Sequence, residues 1–300
     1  MHGCLMAACI LRKMKKNLPI AFAVVAALFY SLNAPLSKLL LEEVSSTIMA
    51  GLLYLGAGGG MLILAIIRKT AGDGGKEAHL TRKDLPYTLA MVILDIAAPI
   101  SLMAGLRLTN AESVALLNNF EIVATSLIAL IIFKERIGLK LSLAIVLITA
   151  ASIMLSADDI SRFSFSPGAL LVILASIFWG FENNCTRMLS KSDPIEIVAI
   201  KGFGSGTGSL LIAFFMKESP PSFTLVVSAL LLGFVSYGLS IFFYVYAQRY
   251  LGAARTSAYY ALNPFIGVLL SLIIFKEMPE PSFWIALGVM ALGTYLTTRS

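Results

Sequence analysis

Leu130-Ile131-Ile132-Phe133-Lys134-Glu135 recurs unchanged as Leu272-Ile273-Ile274-Phe275-Lys276-Glu277, 142 residues further along the chain. Each copy closes a long apolar run, and each is followed by a short polar turn and another apolar run. A hexapeptide repeated at that distance reads as two copies of one membrane-spanning unit, with the repeat fixing how the copies align.

The composition agrees with a chain dissolved in lipid. Hydrophobic residues make up 58% of the 300 and charged residues only 13%, where a soluble domain carries about 25% charged residues. The net charge of +6 does not point to nucleic acid, because the basic residues lie between apolar runs rather than in one patch; that pattern belongs to orientation in a bilayer. Cys4, Cys9 and Cys185 are odd in number and lack metal-ligand or redox spacing, so neither a disulfide framework nor a metal site is expected, and no cofactor motif appears. Arg12-Lys13-Met14-Lys15-Lys16 before an apolar stretch resembles a signal-peptide start. Nine further stretches of the same kind follow, so an uncleaved first helix is expected, with Met14 standing beside Met1 as a second possible start.

A helix needs about 20 apolar residues to cross a bilayer core. Runs of that length lie near 18–40, 47–67, 85–106, 110–133, 139–156, 167–186, 194–216, 223–247, 253–275 and 281–298. Pro86, Pro167, Pro194 and Pro281 stand at helix starts, where a missing N–H costs little. Pro35, Pro99 and Pro264 fall inside runs and are expected to kink them and free a carbonyl. With the N-terminus placed in the cytoplasm, 17 Lys and Arg residues fall on the inside and 5 outside, with Lys201 within a span. That imbalance predicts both termini on the cytoplasmic side of the cell (inner) membrane.

The first helices of the two halves align at an offset of 149 and the later ones at 142. The longer basic loop near 68–84, against the short one near 217–222, absorbs the difference. Each unit then holds five spans, and an odd number forces opposite insertion of the copies. The expected fold is an all-α polytopic membrane protein of ten transmembrane helices in a 5+5 inverted repeat, an arrangement typical of secondary transporters. Its divisions are a cytoplasmic segment 1–17, a first unit 18–156, an external linker 157–166 and a second unit 167–298.

Ionisable residues in mid-membrane cost roughly 2.5–3.5 kcal/mol each. This chain places Asp95, Glu121, Glu182 and Lys201 there, so they are expected to face the interior, one another or a wet cavity. Asn33 matches Glu182 across the repeat, and Glu121 matches Asn263. Helical spacing extends them into stripes of Tyr30, Asn33 and Ser37; Asn118, Glu121 and Thr125; Trp179, Glu182, Asn183 and Thr186; and Tyr260, Asn263 and Gly267. These stripes either line a substrate cavity or hold helices together through polar contacts. Asp95, matched by Tyr237 on a stripe that continues to Tyr244, reads as a cavity residue or as the partner of Lys201. Tyr259, Tyr260, Tyr244, Tyr237 and Trp179 could hold a cation against their ring faces or serve as ordinary packing.

Gly202-Phe203-Gly204-Ser205-Gly206-Thr207-Gly208 follows no strand and lies within an apolar run, which rules against a phosphate loop. Gly56 with Gly60, and Gly204 with Gly208, read as faces for close helix approach. The Lys-Glu pairs of the repeated hexapeptide stand at helix ends, with the glutamates positioned to cap the following helix.

The ordered duplication and an acidic residue closing the fourth helix of each half resemble the drug/metabolite transporter superfamily, and within it EamA-type proteins. Phe178-Trp179-Gly180, with Phe29-Tyr30-Ser31 as a degenerate copy, resembles the aromatic-Gly signature of a unit's first helix. Asn263-Pro264 resembles the polar-Pro pattern of the fourth helix, while the first half has Glu121-Ile122 without the proline. The resemblance implies a central cavity between the halves and alternating access. The expected function is a secondary, non-ATP exporter of a small polar or amphipathic metabolite such as an amino acid or amine. A small-molecule substrate, a proton and the bilayer are its expected partners, nucleic acid is not, and a homodimer is admitted. The alternative is a polytopic membrane enzyme acting on a lipid or isoprenoid. It finds little support: His2 and His79 are peripheral, and Asp158-Asp159 reads as part of a solvated loop.

Overall fold

Each apolar run folds into a helix because a bilayer leaves backbone polar groups no partners except those within the segment. The computed structural model describes residues 18–71, 78–132, 134, 138–159, 164–189, 191–251 and 259–298. Helix α1 spans Leu18–Leu40 and passes through a turn at Leu32 before its last part, Asn33–Leu40. It is followed by α2, Ser46–Thr70, and α3, Leu85–Leu108. Next come α4, Ala111–Leu117, α5, Phe120–Ile131, and α6, Leu139–Ser156. A small antiparallel pair, β1 Ala157–Asp159 and β2 Ser164–Phe165, precedes the second half.

The second half contains α7, Pro167–Leu189, and α8, Pro194–Phe215. Helix α9, Phe223–Gly233, continues through a π-helical turn, Phe234–Leu239, into α10, Ser240–Leu251. The chain ends in α11, Asn263–Phe275, and α12, Pro281–Thr298. Among the described residues seven helices are long and apolar enough to cross a membrane, and two shorter apolar helices follow them. Large side chains such as Leu139, Phe214, Phe215 and Phe223 are more than 70% exposed on the outer surface, as suits a lipid-facing wall and not a water-facing one.

Helix α2 packs along α8, α3 along α7, and α6 along α12; α11 packs on α4, and α9 on α2. Glycines allow these approaches, as their spacing suggested. A Cβ on Gly56 would lie 2.0 Å from the carbonyl oxygen of Leu230, and one on Gly60 would lie 1.8 Å from the Phe234 ring. In the other half, Gly204 and Gly208 turn to Val92 and Ile96 of α3.

The ends of α2 and α8 are tied together. At one end Arg68 Nη1 donates to Asp193 Oδ1 at 3.2 Å, and Asp193 also caps α8 by accepting from the Ile195 N–H at 3.0 Å. Glu196 meets His79 Nδ1 at 3.1 Å on the same side. At the opposite end Ser45 donates to the Glu218 carboxylate. Close by sequence to that end, Lys38 Nζ caps α3 by donating to the carbonyls of Leu106 and Thr109, each at 2.6 Å.

Two local expectations need correction. The run near 110–133 is not one helix: it breaks at Asn118-Asn119 between α4 and α5. Pro264 does not kink a helix interior, because it occupies the first turn of α11, where no N–H is needed. Pro99 does lie inside α3, leaving the carbonyl of Asp95 without its helical donor. The repeated hexapeptide ends its helices alike: Lys134 and Lys276 both take left-handed backbone, with φ of 53° and 56°. Glu135 lies outside the described residues.

Candidate functional site

Gly180 positions the site. A Cβ there would lie 2.6 Å from Ala124 Cβ and 2.9 Å from the Thr125 nitrogen, so only glycine lets α7 lie this close to α5. One turn further along α7, Asn183 Nδ2 then reaches Glu121 Oε1 at 2.5 Å and Thr125 Oγ1 at 3.4 Å. Asn184 seals the contact by donating to the carbonyls of Gly180 at 2.8 Å and Thr125 at 3.4 Å. At the repeat-related contact the small residue stands on the other helix: a Cβ on Gly267 of α11 would lie 3.1 Å from Ala115 Cβ of α4 and 3.6 Å from the Ser31 carbonyl oxygen of α1. The aromatic-Gly signature is therefore a packing device that delivers polar groups to the interior.

A charged triad adjoins this contact. Lys201 of α8 lies 2.5 Å from Glu182 Oε1 of α7 and 3.4 Å from Asp95 Oδ2 of α3. Thr186 also donates to Glu182, and the Tyr54 hydroxyl donates to Asp95 Oδ1 at 2.9 Å. All three charged residues are buried, with Asp95 wholly inaccessible. A buried charge is tolerated only when it is paired and hydrogen-bonded; each member is paired, although Asp95 Oδ2, which faces Lys201, has no hydrogen bond of its own. The expected pairing of Asp95 with Lys201 is present, and Glu182 joins it.

The repeat-related place, where α1 meets the π turn, is neutral. Asn33 Nδ2 donates to the Tyr237 hydroxyl at 3.2 Å, and Ser37 donates to Asn33 Oδ1 at 3.0 Å. Tyr54 links the two places, because its ring packs at a tilt on Tyr237 with centroids 5.0 Å apart while its hydroxyl holds Asp95. Tyr30 packs on Tyr237 at 5.7 Å and on Tyr260 at 5.9 Å, and Tyr244 packs on Tyr260 at 4.9 Å.

Exposure separates two environments. Asn33, Asp95, Trp179, Glu182 and Tyr237 are buried, whereas Glu121, Asn118, Asn183, Tyr30, Tyr244, Tyr260 and Asn263 keep part of their surface open. Two local breaks in regular α-helix carry members of both groups: Tyr237 sits in the π turn, and Asn118 at the gap between α4 and α5. Asn118 Oδ1 and Asn119 Nδ2 are buried without a hydrogen-bond partner. Glu121 bonds Asn183, while its repeat mate Asn263 opens α11. Tyr54 was missed from the sequence; a hydroxyl in the apolar run of α2, near the small residues Gly51 and Gly58, was the available signal.

A helical membrane protein with a charged, hydrogen-bonded interior and an adjoining half-open polar wall has the make-up of a solute carrier. Residues 17–157 and 166–299 each match the EamA-like transporter family. The chain belongs to that family, and it is a multi-pass membrane transporter, not an enzyme. It is 26% identical over 294 residues to an uncharacterized transporter of Methanothermobacter thermautotrophicus (strain Delta H), covering 91% of this chain and 84% of that protein. It is 25% identical over 185 residues to the uncharacterized inner membrane transporter YedA of Escherichia coli (strain K12), covering 59% of this chain and 60% of YedA. A crystal structure of another protein shares the fold with a TM-score of 0.67 at 15% identity, over 93% of this chain and 94% of that one.

Proposed function

We propose that the protein is a secondary transporter of the inner (cell) membrane that exports a small amphipathic metabolite bearing an ammonium group, an amine or an amino acid. Ten spans, arranged as two inverted five-helix units with both termini in the cytoplasm, would rock about the interior site. Support for the inverted arrangement comes from the pairing of like with like: the second span of one unit packs along the second of the other, and the fifth along the fifth.

The observation that carries the reading is Glu121. It is a carboxylate held by the neutral amide of Asn183 at 2.5 Å, partly exposed, and forming no ion pair with a basic residue among the described residues. Such a group attracts a cation, and the nearby tyrosines offer ring faces that favour an ammonium. The amide fixes the carboxylate without neutralising it. Proton exchange follows from the same chemistry, because desolvation disfavours an empty charged carboxylate. An ammonium entering from one side and a proton from the other would compete for Glu121 and couple their movements.

Uptake and efflux of labelled amines and amino acids in proteoliposomes test the reading. Transport is expected to depend on pH in the wild type. Wild-type transport that is unchanged across pH would remove proton coupling.

A further inference from the structure

The interior contains two carboxylate sites of different kinds, and Lys201 distinguishes them. Glu182 and Asp95 come from two helices, α7 and α3, and meet the same ammonium at 2.5 and 3.4 Å. Their repeat mates, Asn33 and Tyr237, bond directly to each other at 3.2 Å with no cation between them. The 149-residue offset that matches Glu182 to Asn33 sets Leu52 against Lys201. Three differences thus travel together: where the pair is amide and phenol, the matching residue is apolar, and where the pair is two carboxylates, it is a lysine. Two carboxylates this close and this buried require a positive charge between them, and the chain supplies it from its own α8.

We propose that Lys201 is a tethered cation that permanently fills one of two interior cation sites, leaving Glu121 as the single open one and restricting the carrier to solutes with one positive charge. Lys201 is thus a specificity-determining residue that need not touch the solute. Its stem is anchored in α8, whose glycine-rich face meets α2 and α3, so the ammonium cannot leave as a free ion would. The inference rests on the reading of Glu121 as the solute site.

The test uses purified full-length protein, wild type and Lys201→Met, followed by thermal unfolding and by binding of a linear monoamine and the matching α,ω-diamine. Wild type is expected to unfold at the same temperature in sodium chloride and in N-methylglucamine chloride of equal ionic strength. Lys201→Met is expected to lose stability in the bulky cation and to regain it in sodium or methylammonium. It is also expected to bind the diamine at least about tenfold more tightly than wild type does, since an affinity factor of ten is a modest gain for a new ion contact. A Lys201→Met variant indifferent to the identity of the cation, with no gain for the diamine, would overturn the proposal.

If Lys201→Met fails to fold, the Asp95→Asn, Glu182→Gln, Lys201→Met triple variant decides. With both carboxylates replaced no cation is needed, so restored folding supports the proposal and continued failure overturns it. Wild type that binds no monoamine in a Glu121-dependent way defeats the reading of Glu121. Wild type that binds one, beside a Lys201→Met variant that gains nothing, defeats only the role given to Lys201.

Discussion

At one place in the interior Asn33 and Tyr237 face each other across a single hydrogen bond; at the repeat-related place their mates, Glu182 and Asp95, face each other across Lys201. The backbone frame is shared, with a first helix set against the third helix of the opposite copy. The chemistry is opposite. A neutral pair satisfies itself and asks only for shape, whereas a pair of acids needs a third residue from another helix. The repeat supplies one frame twice, and the two places differ, one being a neutral support and the other a charged lock beside the partly exposed Glu121.

The sharpest way to break this comparison is to remove the lock's cation. Lys201→Ala leaves two buried acids uncompensated and should destabilise the protein by about 3–5 kcal/mol, read as a fall in thermal or denaturant midpoint. Leu52→Ala, its counterpart, creates only a cavity and should stay nearer about 2 kcal/mol; equal losses would show that charge plays no special part.

The glycine faces give the next largest contrast. Gly56→Ala would push a methyl against the backbone oxygen of Leu230, 2.0 Å away, whereas Gly208→Ala meets only the flexible end of Ile96. The first should cost about 1–3 kcal/mol and the second less; unfolding midpoints in the reverse order would contradict the packing described. On the neutral side, Tyr237→Phe removes one interhelical hydrogen bond and should cost roughly 0.6–2 kcal/mol, with Asn33→Ala adding little in the double variant. His79→Ala should have the smallest effect, up to about 1 kcal/mol, because the imidazole that meets Glu196 is largely exposed.

The sequence made the duplication readable because six consecutive identical residues fix a register, and it made the Asp95–Lys201 pair readable because opposite charges in apolar runs must find each other. It also supplied the glycine faces, since their four-residue spacing is a helix-surface property. It did not reveal that Glu182 shares Lys201, since that depends on α3, α7 and α8 meeting at one depth. Tyr54 went unnoticed because a single hydroxyl does not alter the hydropathy of a long run. Neither the break at Asn118-Asn119 nor the π turn at Tyr237 carries a proline; the asparagines of the first and Gly233 and Gly238 of the second are weak signals, because single residues of these kinds also occur inside continuous helices. The ties of Arg68 to Asp193 and of His79 to Glu196 bridge more than 100 residues, beyond any local pattern.

The central claim is that the half-open Glu121 binds the solute while the buried triad supports the structure. Transport of amines and amino acids by wild type and by Glu121→Gln, reconstituted side by side at matched unfolding temperatures, tests it most directly. The account predicts a loss of at least about tenfold in transport with the unfolding temperature unchanged, equivalent to about 1.4 kcal/mol of solute or transition-state binding. Full transport by Glu121→Gln would contradict it.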